Sequence, residues 1–268
     1  MPFNRNRIAL LVLLLLTLAS GQAKGAHVLF KGDSGQFEQG GESASEVAHH
    51  FNNEPYLNRT ELAIITEINL LRSDPAGYAR QYLAPLRKYY NGNLLQLPGK
   101  LPIRTREGVD ALEECINELE NTRPMRPLLP SKGLTLAARD LVQDQGLTRT
   151  TGHTGNDGSS MSDRIERYGQ WDGCIAENLA YGFDDARQVI VGLLIDDGVL
   201  SRGHRKNMLN GTFSYVGVKI GPHRRFNTMC VMEFAAQYSL SEVQPHHYES
   251  PHSRLSKNVR SYFEPEHR

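Results

Sequence analysis

The feature that most constrains this chain is the order of its apolar patterns: helical stripes come first and alternating strands come last. Ile64, Ile65, Ile68 and Leu71 recur at helical spacing, as do Val109, Leu112, Ile116 and Leu119, and then Leu134, Ala138, Leu141 and Val142. Ile175 to Tyr181 alternates as a strand does, and Tyr215 to Ile220 and Thr228 to Ala235 read as two further strands joined through Gly221-Pro222. Between them, Ile190, Leu193 and Leu194 mark another helix, for which Asp184 is the expected cap. Helices that each bury one stripe, followed by paired strands, predict an α+β fold with helices layered on a mostly antiparallel sheet.

Local signals sharpen the boundaries. Asn58-Arg59-Thr60-Glu61 reads as a capping box opening the first helix. Asp74-Pro75 opens a second, with proline at its first position. Asn91 to Arg104, rich in Gly, Pro and Asn, reads as loop, as does Thr150 to Ser160; Ser162 to Tyr168 reads as a short helix. Arg72, at the end of the first stripe, is expected to be a structural cation that serves the helix dipole and its last carbonyls.

The ends of the chain differ in character from its middle. Arg5 and Arg7 precede an apolar run from Ile8 to Leu18, and Ala19-Ser20-Gly21 supplies small residues for cleavage, the pattern of a secretory signal over residues 1–21. The run is shorter than the roughly 20 residues needed to cross a bilayer, and no other segment reads as a transmembrane span. Residues 22–56 read as a flexible leader; its Gly32-Asp33-Ser34-Gly35 reads as a polar turn, with no room upstream for the partners of a serine nucleophile. Residues 241–268 read as a disordered tail holding His246, His247, His252 and His267 among prolines. Export implies a secreted or, in a bacterium, periplasmic protein.

Charge excludes one class of partner. Lys and Arg number 30 against 30 Asp and Glu, and loss of Arg5 and Arg7 with the signal leaves the rest slightly acidic. Such a chain has no general attraction for a phosphate backbone, so nucleic acid is not expected as a partner. Three cysteines, Cys115, Cys174 and Cys230, allow three pairings with one thiol left over.

Several catalytic signatures are missing: there is no His-Glu-x-x-His, no Gly-x-Ser-x-Gly, no phosphate loop and no Cys-x-x-Cys. What stands out is polar residues in apolar places. Glu177 shares a strand face with Ile175, Leu179 and Tyr181, and Asp197 follows Ile190 and Leu194 by helical spacing. A carboxylate on such a face is costly unless it is paired or bound to a cation. With His153 and His204, both read as loop residues, these acids could hold a divalent cation, or each could be a satisfied structural group.

Four segments in order resemble one family. Gly152-His153-Thr154, Ala176-Glu177-Asn178-Leu179, Ser201-Arg202-Gly203-His204-Arg205-Lys206-Asn207-Met208-Leu209 and Tyr215-Val216-Gly217-Val218 resemble the signatures of the CAP superfamily of cysteine-rich secretory, antigen 5 and pathogenesis-related proteins, in its bacterial form. The resemblance covers about Leu62 to Tyr238 and implies a three-layer α-β-α sandwich over residues 57–240, with an insertion at about 89–126. It implies a cleft with two histidines and two acids, here His153, His204, Glu177 and Asp197 (Asp196 if the register slips), able to hold a divalent metal, zinc first. It implies one sheet for the strands of Cys174 and Cys230, hence a disulfide between them, with two free cysteines as the alternative. Ile68-Asn69-Leu70-Leu71-Arg72 departs from the family's His-Asn-x-x-Arg at its first position. In function the resemblance implies a secreted binding module for a small hydrophobic ligand such as a lipid or sterol, a peptide or a cell-surface partner. The alternative is a metal-assisted hydrolase with Glu177 as ligand or base.

Overall fold

The structure, a computed structural model, describes residues 27–31 and 56–241. Helix α1 (Arg59–Ser73) starts as its sequence predicts: the Asn58 side chain accepts from the Glu61 amide, and Glu61 reaches back to the Asn58 amide at 2.8 Å. Such a cap contributes about 1 kcal/mol. Its stripe of Ile64, Ile65, Ile68 and Leu71 is buried, each side chain contributing roughly 1.5–3 kcal/mol. Asp74 caps α2 (Pro75–Tyr78) through the Gly77 amide, and a π turn and a 3-10 turn carry the chain to Tyr89.

The stretch read as loop over 91–104 folds in part into a small sheet, β2 (Tyr90–Asn91), β3 (Leu94–Leu95) and β4 (Ile103–Arg104). Helix α3 (Val109–Glu120) follows, and its Ala111, Leu112, Cys115, Ile116 and Leu119 enter the main core. The stretch expected as an insertion thus contributes α3 to that core.

The main sheet is built from β1 (His27–Lys31), β5 (Leu129–Pro130), β6 (Gly169–Tyr181), β7 (Tyr215–His223) and β8 (Asn227–Leu240), in the order β1-β6-β8-β7-β5. All its pairs are antiparallel except β5 with β7. One face carries Ile175, Leu179, Val231 and Ala235 against α4 (Lys132–Thr148) and α5 (Met161–Glu166). The other carries Cys174, Ala176, Ala180, Met232 and Phe234 against α1, α3, α6 (Ala186–Ile195) and α7 (Gly203–Met208). The result is the three-layer α+β sandwich. Gly217 lets α4 approach β7, because a Cβ there would run into the Leu134–Thr135 backbone.

Four further expectations change. The leader contains a strand, β1, paired to the outer edge of β6. Asp185, not Asp184, caps α6, accepting from the Gln188 amide. Arg72 is structural, but it serves carbonyls of other segments: it donates to Arg126, Met208, Asn210 and Phe213. The disulfide between Cys174 and Cys230 does not form. Their strands do pair, but Ala180 stands opposite Cys230, six residues along β6 from Cys174, a separation of roughly 20 Å where a bridge needs about 6 Å between Cα atoms. All three thiols are free and buried, and burial pushes Cys115 up to about 12. Among the described residues no helix is long and apolar enough to cross a membrane. The histidines of the tail lie outside the described residues.

Candidate functional site

The His153 loop joins α4 to α5 and is held at several points. Gln145, buried on α4, donates to the carbonyls of Gly152 and Thr154. Tyr181, at the end of β6, accepts from the Gly152 amide and donates to Gln145. So fixed, the loop brings His153 Nδ1 to 2.6 Å from Glu177 Oε1. A carboxylate accepts, so Nδ1 carries the proton and one tautomer is selected. Arg164 of α5 donates to Glu177 Oε2 at 2.6 Å and to the carbonyls of His153 and Ser159. Glu177 and Arg164 have essentially no exposure.

The electrostatics follow from that burial. Burial alone would push the Glu177 carboxyl up; the hydrogen bond from His153 and the Arg164 guanidinium outweigh it and hold Glu177 below the usual carboxylate range. Glu233 of β8 stands directly across from Glu177 in the register and is equally buried. Its carboxyl is raised well above the ordinary value by burial and then by the charge of Glu177.

The second histidine sits elsewhere. His204 is on α7, not in a loop, and its Nδ1 lies 2.7 Å from Asp196 Oδ1 while its backbone amide donates to Asp196 Oδ2. Helix α6 stops two residues short of Asp197: Asp196 takes the left-handed cap, φ 54°. That turn aims Asp196 at His204 and sends Asp197 away, to accept the amides of Arg106 and Glu107 at 2.7 and 2.8 Å. Arg202 pairs with Glu107 and Glu114, and buried Arg205 with Glu114 and Glu118. Asn178 Nδ2 donates to the His204 carbonyl, and Asn207 donates to Asn178 Oδ1.

A family model for the cysteine-rich secretory protein family, CAP, matches residues 113–234, which include all of these residues except Glu107 and its Arg106 neighbour. The chain carries a CAP domain. Two solved structures are similar. One is an outer surface protein from Borrelia burgdorferi, 21% identical, covering 41% of this chain and 78% of that one, TM-score 0.35. The other is an extracellular protein containing a SCP domain from Bacillus anthracis str. Ames, 22% identical, covering 47% of this chain and 38% of that one, TM-score 0.34. A search of curated proteins gave no match.

Within the CAP domain the four residues expected to share one cation fall into two groups. Glu177 and Asn178 are neighbours on β6, and neighbours on a strand point to opposite faces. Glu177 meets His153 on the α4–α5 face; Asn178 meets His204 on the face of α6 and α7. Among the described residues no three His, Cys, Asp or Glu side chains converge as metal ligands. Both Glu177 oxygens are occupied by donors, and both Asp197 oxygens hold backbone amides. This donor set does not fit one divalent cation. Asp196 replaces Asp197 as the partner of His204.

Sequence reasoning missed Arg164 and Glu233. Glu233, within Val231-Met232-Glu233-Phe234-Ala235, shows the same anomaly that singled out Glu177, a carboxylate inside an apolar strand. Arg164 lies on a six-residue helix, too short for its spacing to show which face it takes.

Proposed function

We propose that this chain is an exported CAP-domain protein that acts by holding a partner, a peptide, a small hydrophobic molecule or a cell-surface component, and not by metal-assisted hydrolysis. One observation carries the reading: the ionisable residues a metal hydrolase would gather at one point are divided between two faces of a sheet, and the oxygens of Glu177 and Asp197 are already taken by protein donors. A catalytic zinc site takes three converging protein ligands and keeps one position open. Export is supported by the Arg5–Gly21 pattern, which lies outside the described residues.

The test is turnover. The purified secreted protein, incubated with zinc and a peptide library, is expected to give no cleavage above that of a His153→Ala/His204→Ala control. Cleavage by the wild type that the control lacks would overturn the binding reading in favour of the hydrolase. Amino-terminal sequencing of the same sample is expected to begin just after the Ala19-Ser20-Gly21 segment; an intact Arg5–Leu18 run in the secreted protein would overturn processing.

A further inference from the structure

Glu233 poses a problem that the pairing of His153 with Glu177 does not solve. Its side chain has no exposure, yet neither carboxyl oxygen accepts a hydrogen bond from any group among the described residues. An ionised carboxylate, an acceptor only, would there be buried without a donor, at a cost of several kcal/mol. The nearest cationic group, Arg164 Nη2, is 3.9 Å from Glu233 Oε1 and is already committed to Glu177 at 2.6 Å.

The groups that face Glu233 can be named element by element. β6 presents Glu177 across the register, with Tyr181 further along the same face. β7 presents Gly217, which has no side chain. α5 presents Arg164, and the loop before it presents His153 through Glu177. α4 closes over Gly217 with the uncharged Leu134–Thr135 segment; its Arg139 and Asp140 are engaged with Tyr168 and Arg167, and its Asp144 with the Asn156 amide. One guanidinium therefore stands against two fully buried carboxyl groups.

We infer that Glu233 is held as a carboxylic acid and donates its proton to Glu177, making it a positioning residue for the His153 imidazole. Glu177 then accepts from three donors, the His153 ring, the Arg164 guanidinium and the Glu233 hydroxyl. Protonation turns Glu233 from an acceptor with no donor into a donor with an acceptor, and it leaves the Glu177–Arg164 charges balanced. Burial and the neighbouring negative charge both push the Glu233 carboxyl up, as this arrangement requires. The inference goes beyond the binding reading and does not depend on the identity of the partner.

The linkage has a definite sign. Glu233 binds its proton more tightly folded than unfolded, so its contribution is fully present below the unfolded value near 4.5 and is lost as pH rises toward the folded value. Glu233→Gln keeps a neutral donor that cannot ionise. Over that window the folding equilibrium constant of the Gln variant is expected to gain on that of the wild type about tenfold per pH unit.

The experiment uses the full secreted chain. Infrared difference spectra of wild type against Glu233→Gln at neutral pH should show the carbonyl stretch of a protonated carboxylic acid in the wild type alone. Denaturation across pH 5 to 8 should show the Gln variant gaining on the wild type. Ring-nitrogen spectra should keep the His153 Nδ1–H tautomer in the Gln variant and lose it in Glu233→Leu. No acid band in the wild type, or a Gln variant less stable by a constant amount at every pH, would make Glu233 an ionised partner of Arg164 and overturn the inference. A Leu variant that keeps the wild-type tautomer population would overturn the positioning role. If neither variant folds, the wild-type acid band at neutral pH still decides the protonation state.

Discussion

The two histidine neighbourhoods handle charge in opposite ways. On the α4–α5 face one arginine, Arg164, stands against Glu177 and Glu233, and all three are buried. On the α6–α7 face Arg202 and Arg205 meet Glu107, Glu114 and Glu118, whose side chains are a fifth to a half exposed. Carboxylates in the second group return to water when a partner is removed; those in the first cannot. The difference teaches that the cost of breaking a polar cluster depends less on how many bonds it has than on whether its survivors can be rehydrated.

Three substitutions sharpen that contrast. The largest effect is expected from Arg164→Leu, which leaves two buried carboxyl groups without their cation: about 3–5 kcal/mol in urea denaturation. A loss under about 1 kcal/mol, typical of an exposed pair, would mean that water reaches the cluster. Arg205→Leu comes next at about 2 kcal/mol, since it strands the carbonyls of Leu194 and Ile195 while Glu114 and Glu118 are resolvated. If it costs as much as Arg164→Leu, the comparison fails. The smallest is Asp197→Ala, about 1 kcal/mol, because the two amides it releases are only part-buried. The His204–Asp196 hydrogen bond should survive it unchanged in ring-nitrogen spectra, whereas Asp196→Ala should abolish it.

Acid separates the two carboxyls of the first face. Glu177 is held below its ordinary value, so its contribution is present above the unfolded value near 4.5 and is lost as pH falls through the folded value. Glu233 works in the opposite direction. Wild-type stability should therefore fall on both sides of the carboxylate range. A Glu177→Gln variant should lose the acid-side decline, measured as denaturation midpoints from pH 3 to 6.

Much of the fold could be read from local signals. The capping box at Asn58, the cap at Asp74 and the stripes of α1, α3 and α4 are short-range features, and each formed where its residues placed it. Strand β1 was hidden because its partner lies far away: His27 pairs with Glu177, and nothing near residue 27 announces it. Helix α7 was hidden because it has six residues and starts after a left-handed Arg202, too short for a period to show. The site was legible as an anomaly and not as a geometry. Glu177 was rightly marked as a carboxylate in an apolar strand. What spacing could not supply was the left-handed turn at Asp196, which moves the acid beside His204 by one residue. Nor could it supply the strand parity that sends Glu177 and Asn178 to different faces.

That parity makes the central claim: His153 and His204 belong to separate centres. The direct measurement is a zinc titration of the full secreted chain, with the tail histidines His246, His247, His252 and His267 replaced by Asn, followed by the ring-nitrogen resonances of His153 and His204. The account predicts that the two rings do not respond together, and that neither response changes when the other histidine is replaced by Ala. Both resonances shifting in step and saturating at one equivalent of zinc, with each shift lost in the other's Ala variant, would place both imidazoles on one cation and contradict it.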